Sequence, residues 1–109
     1  MKLTGELRQA LGAEHATLRF SEEDSAISLD IVLVPASHRA HGIGSALIQR
    51  VLCMADSLGK ETRVAARPIG THGDVPLERL VAYYRRFGFE ETSRGVSVVH
   101  MRRAPRQHQ

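Results

Sequence analysis

The chain has 109 residues, enough for one domain with one modest core. With 42% hydrophobic and 25% charged residues it has the balance of a globular protein, not of a disordered or fibrous one. A net charge of +3 suits an anionic ligand without choosing between a phosphate and a nucleic acid.

Cys53 is the one cysteine, which excludes an internal disulfide. No run approaches the ~18 apolar residues of a membrane helix. The opening "MKLTGELRQALG" lacks the apolar centre of a secretory signal. A cytoplasmic setting with no membrane partner is therefore expected.

In chain order, Thr4 is a candidate cap for a short helix carrying Leu7, Ala10 and Leu11, stopped by Gly12. "HATLRF" (15–20) alternates like a strand, and "SEEDS" (21–25) is a polar turn. "AISLDIVLV" (26–34) reads as a buried strand with Ile27, Leu29, Ile31 and Leu33 on one face. Ser28, Asp30, Val32 and Val34 take the other. Pro35 stops it.

"SALIQRVLCMADSLGK" (45–60) has Leu47, Val51, Ala55 and Leu58 at helical spacing, widened by Ile48 and Leu52 and ended by Gly59. "TRVAARPI" (62–69) reads as a second buried strand. Asp74 can cap a helix over 77–87 with Pro76 in its first turn. Residues 89–93 and 96–102 are two more strands, and residues 103–109 form a polar tail. The order α-β-β-α-β-α-β-β has one strand–helix–strand crossover, between 26 and 69, which favours two parallel neighbours. The expectation is an α/β (α+β) domain with a mixed sheet and helices on both faces.

The stretch "HRAHGIGS" (38–45) lies between that strand and that helix. Free N–H groups at a helix N-terminus make an anion site, aided by the helix dipole. Glycines let the backbone approach a phosphate without a Cβ in between, and Arg39 adds a fixed positive charge. The assembly suits a pyrophosphate. Leu47 rules out the dinucleotide fingerprint, and no Gly-Lys-Ser/Thr makes a Walker loop.

A second stretch, "AYYRRFGF" (82–89), carries two tyrosines at a helix end before Phe87-Gly88-Phe89. With both stretches in this order, the sequence resembles the GNAT superfamily of acetyl-CoA-dependent N-acetyltransferases. Their motif Arg/Gln-x-x-Gly-x-Gly/Ala reads here Arg39-Ala40-His41-Gly42-Ile43-Gly44, and their FYxxxGF-like motif reads YYRRFGF. Position 40 is Ala where the family usually has Gly. The likeness covers residues 26–102, within one domain over 1–102 whose N-terminal region, 1–25, is short for the family.

The resemblance implies a GNAT-like mixed, mostly antiparallel twisted sheet with a splayed central parallel pair, 26–34 and 62–69. It implies acetyl-CoA as cosubstrate, with Arg39, Ala40, His41, Gly42, Ile43, Gly44 and Ser45 cradling the pyrophosphate. The backbone of Val32 and Val34 would pair with the pantetheine arm. Tyr84 matches the tyrosine that protonates the leaving thiolate, and a phenol and a thiol have pKa values within about two units. A primary amine acceptor must lose a proton before attack, and Asp30, an acid in an apolar strand, is the candidate base. His72 and Asp74 are weaker candidates. The acceptor is a small molecule or a protein amine, and the short N-terminal region points to an open site or to a homodimer that completes the cleft.

The remaining residues have plainer readings. Tyr83 is a packing residue. Cys53 has no base beside it, and His38 and His41 lack further ligands, so neither a nucleophile nor a metal site is expected. Arg85 and Arg86 suit a helix C-terminus, and Arg102, Arg103 and Arg106 a solvated tail. The rival functions are a non-catalytic acyl-CoA-binding sensor or interaction module, and a basic nucleic-acid binder. The second is disfavoured by aromatics at only 5%, too few for a stacking platform.

Overall fold

The computed structural model describes residues 3–33, 42–67 and 76–106. Six strands and two helices follow in the order β1 (Leu3–Leu11), β2 (Glu14–Glu22), β3 (Ala26–Leu33), α1 (Ile43–Leu58), β4 (Glu61–Ala66), α2 (Leu77–Arg85), β5 (Glu90–Arg94) and β6 (Val99–Arg103). The strands form one sheet, ordered β1-β2-β3-β4-β6-β5. Only β3 and β4 are parallel; the other neighbours are antiparallel. The mixed, mostly antiparallel sheet with a central parallel pair is the one expected.

The first segment differs from expectation. Residues 4–11 are a strand, not a helix. Leu3, Leu7 and Leu11 are four apart, a spacing that also falls on one face of a strand. The turn decides between the two. Leu11 pairs with Glu14 across Gly12-Ala13, and Gly12 has φ 70, the left-handed value a two-residue hairpin turn requires. Leu7 then pairs with Leu18 and packs on the core, and Gly5 lies directly over the Phe20 ring.

The core lies on one side of the sheet. Ala16, Leu18, Ile27, Leu29, Val64, Val99 and Met101 meet Leu47, Ile48, Val51, Leu52 and Ala55 of α1 and Val81 of α2 in one buried cluster. Each fully buried leucine contributes roughly 1.5–3 kcal/mol. The α1 stripe is the expected one except for Leu58, half exposed at the last turn. Both helices therefore share one face, where helices on both faces were expected. The segment assigned to a third helix is β1, and the opposite sheet face carries Arg8, Arg19, Arg63 and Arg102, all exposed.

Two further boundaries shift. Pro76 sits at the N-cap of α2 with φ −59 and ψ 144, outside the helix rather than in its first turn. Asp74 lies outside the described residues. Arg103, expected in a solvated tail, ends β6 and is buried. Its Nη1 donates to Asp56 Oδ1 at 2.8 Å, its Nη2 to Asp56 Oδ2 at 3.2 Å and its Nε to the Phe87 carbonyl at 2.9 Å. One arginine thus ties α1, the end of α2 and β6 together.

Candidate functional site

The site is set by where the parallel pair ends. Pairing of β3 with β4 runs from Ala26↔Glu61 to Leu29↔Val64 and stops there. β3 continues to Leu33 and β4 to Ala66 without meeting again. The strands part at their C-terminal ends, where ligands of such sheets bind.

A bulge marks the same place. On the β2 side Phe20 pairs with Leu29 but Arg19 pairs with Ile31, so Asp30 is an extra residue. Every residue beyond it changes face. Val32 comes opposite Leu18 and packs on the core, while Ile31 turns to the helix-free face. The expected grouping of Asp30 with Val32 is thereby broken. The exposed Asp30 carboxylate accepts a hydrogen bond from Ser21 Oγ. Its partner among the described residues is this hydroxyl and not an arginine.

α1 opens at this end of the sheet. Gly42 is its N-cap with φ 74 and ψ 10, a left-handed conformation that side chains with a Cβ resist. The Gly42 carbonyl accepts from the Ala46 N–H at 2.9 Å, which starts the helix. Among the described residues no side chain caps α1, and no acidic residue stands in its first turn. The N–H groups of Ile43, Gly44 and Ser45 thus point out of a helix end with partial positive charge. Half-buried Ile43 packs on the core and fixes that end in place. Val34, Arg39, Ala40 and His41 lie outside the described residues, as do His38 and His72.

α2 reaches the same place through its tyrosines. Tyr83 Oη and Ser45 Oγ are 2.8 Å apart in a hydrogen bond between the two helices. The Tyr83 ring meets Tyr84 and Phe87 edge-on, at centroid distances of 5.5 and 5.2 Å, and Tyr84 meets Phe89 at 5.6 Å. Burial pushes the Tyr83 phenol above its ordinary pKa, partly offset by the Ser45 bond. Burial, with a smaller effect from Tyr83, pushes Tyr84 up to about 12. Both stay neutral donors near neutral pH. Tyr83 packs as expected, but its bond to Ser45 was missed. The only cue was a hydroxyl at an otherwise apolar helix position, and nothing local links residues 38 apart.

Cys53 is exposed on α1. Two shallow concavities lie on the helix-free face, one bounded by Ser28, Arg63, His100 and Arg102, the other by Glu6, Arg19 and Asp30. Among the described residues no helix is long and apolar enough to cross a membrane.

A sheet whose parallel strands part beside a glycine-opened helix, with a tyrosine-bearing helix bonded to that opening, defines the acetyltransferase class of α/β proteins. The chain belongs to the acetyltransferase (GNAT) family, whose profile matches residues 13–89. No curated protein is detectably similar to it. Among solved structures it is similar to the anti-CRISPR protein AcrVA5, with 26% identity and a TM-score of 0.69 over 90% of this chain and 97% of that one. An acyl-CoA N-acyltransferase of Pseudomonas aeruginosa shares the fold at 24% identity and a TM-score of 0.73, covering 93% of this chain and 68% of the other. The PaiA N-acetyltransferase of Thermoplasma acidophilum, solved with coenzyme A, does so at 14% and 0.64, covering 82% and 52%.

Proposed function

We propose that the protein is an acetyl-CoA-dependent N-acetyltransferase that moves an acetyl group to a primary amine by direct attack in a ternary complex. One observation carries this reading within the family: β3 leaves β4 beside a helix N-terminus that begins on a left-handed glycine. The residues present fit coenzyme A. Beyond Leu29 the β4 side of β3 has no strand partner among the described residues, so the backbone of Val32, and of Val34 after it, would pair with the pantetheine amides. The N–H groups from Arg39 through Ala40, His41, Gly42, Ile43 and Gly44 to Ser45 would hold the pyrophosphate. A structural relative that contains coenzyme A supports the same ligand.

In the reaction the amine nitrogen bonds to the thioester carbonyl carbon and the carbon–sulfur bond breaks. Asp30, at the bulge where the strands part, takes the ammonium proton directly or through water. Tyr84 donates to the departing sulfur. With its phenol at about 12, the gap to a thiol near 8.5 is about 3.5 units, or ~5 kcal/mol for complete transfer. Tyr84 therefore acts first as a hydrogen-bond donor; its proton passes to the sulfur as the carbon–sulfur bond breaks, and the second proton of the acylated nitrogen goes to the Tyr84 oxygen, which leaves a neutral amide, a thiol and a neutral tyrosine. Most of the acceleration comes from holding amine and thioester together.

The test is calorimetric binding of acetyl-CoA to the wild type and to Gly44→Glu, followed by coenzyme A release across a panel of amines and peptides. Binding lost in the variant, with release for some acceptor, is the expected result. A wild type that does not bind overturns the proposal. Tight binding without release for any acceptor replaces it with the non-catalytic acyl-CoA-binding module.

A further inference from the structure

We infer that Tyr83 is a positioning residue for the pyrophosphate: its hydroxyl holds Ser45 so that the serine O–H joins the anion-binding end of α1. The inference rests on the acyl-coenzyme A reading above and assigns a role to Tyr83, which stands where the family motif has a phenylalanine and so carries a hydroxyl that a phenylalanine lacks.

Ser45 is the third helical residue of α1. A serine there commonly turns back to bond the backbone of its own helix end. Among the described residues no side chain caps α1, and Ser45 Oγ instead meets Tyr83 Oη at 2.8 Å, on a helix 38 residues further along.

The direction of that bond matters. A serine hydroxyl has one proton to give and can also accept. When Ser45 donates to Tyr83, its proton is spent. When Tyr83 donates to Ser45, the serine proton is released to a further acceptor. An anion against the α1 N-terminus supplies that acceptor, and so selects the second arrangement. Tyr83 is suited to be the first donor. Its ring is held edge-on between Tyr84 and Phe87, and burial keeps its phenol protonated. The cradle and Tyr84 are thereby joined through Tyr83, its neighbour on α2.

Four proteins test this: wild type, Tyr83→Phe, Ser45→Ala and the double variant. Each is titrated with coenzyme A by calorimetry, and the bound pyrophosphate is followed by phosphorus-31 NMR. Each single variant is expected to bind about fivefold more weakly, the size of one hydrogen bond. The double variant should bind no worse than the weaker single one, and both singles should shift the same phosphorus resonances. Wild-type affinity in Tyr83→Phe, losses that simply add, or phosphorus resonances that do not move would overturn it. A wild type that does not bind coenzyme A fails the parent reading and this one together; a wild type that binds as well as Tyr83→Phe fails this one alone.

Discussion

Asp56 and Arg103, 47 residues apart, form a two-pronged ion pair with only 3% and 6% of their side chains exposed. The carboxylate also accepts the backbone N–H of Arg106 at 2.9 Å. Removing one partner leaves a buried charge without its counterion, which costs about 3–5 kcal/mol. Arg103→Ala and Asp56→Ala should each lose that much in urea unfolding, a large part of a small domain's total stability. Replacing both with hydrophobic residues of similar volume should recover much of the loss. Equal stability of wild type and Arg103→Ala would show that the pair holds nothing together.

Tyr84 makes a pH prediction. Its phenol ionises at about 12 in the folded chain and near 10 unfolded. Between those values the unfolded chain has lost the proton and the folded chain keeps it. The contribution is therefore fully present below pH 10 and is lost as pH rises through 12. Two units correspond to about 3 kcal/mol at most. Tyr84→Phe should flatten the fall in stability across that window. Ultraviolet titration of the wild type should show a phenol that ionises about two units later than a free tyrosine.

The same residue predicts a kinetic split. Tyr84→Phe should lower turnover about tenfold to a hundredfold, at or below the lower end of acid–base contributions, because a hydrogen bond does part of the work. Affinity for coenzyme A should change little, since Tyr84 is not part of the cradle. Equal losses in turnover and affinity would place it in binding instead.

Gly42 predicts a local cost. No described residue lies within 4 Å of the position a Cβ would take, so among these residues Gly42→Ala meets no clash and carries only left-handed backbone strain. Its cost in urea unfolding should be about 1–2 kcal/mol. Coenzyme A binding should weaken as well, because α1 would start in another geometry.

Much of this fold is legible in the sequence because its helices declare themselves. The Leu47, Val51 and Ala55 stripe and the closing Gly59 fix α1, and "HRAHGIGS" before it marks the end proposed to hold the pyrophosphate. The first strand hides because leucines four apart fit both periods, and the turn at Gly12-Ala13, which pairs it with β2, settles the matter. The bulge at Asp30 hides for a related reason. Alternation along "AISLDIVLV" assumes an unbroken register, and the break exists only in relation to β2. Arg103 reads as tail because polar residues follow it, while its partner Asp56 lies on a helix far back in the chain.

The bulge gives the last prediction. Ser21 is buried and its hydroxyl donates to Asp30, so the carboxylate has a structural task besides the proposed chemical one. Two substitutions separate them. Asp30→Asn keeps an acceptor for Ser21 and should leave stability within about 0.5 kcal/mol. Asp30→Ala strands a buried hydroxyl and should cost about 1–3 kcal/mol. If Asp30 takes the proton from the amine, both variants lose turnover about a hundredfold, since neither side chain can accept it. If its task is structural alone, Asp30→Asn keeps wild-type turnover and only Asp30→Ala declines. Steady-state kinetics beside urea unfolding of both variants decides between the two.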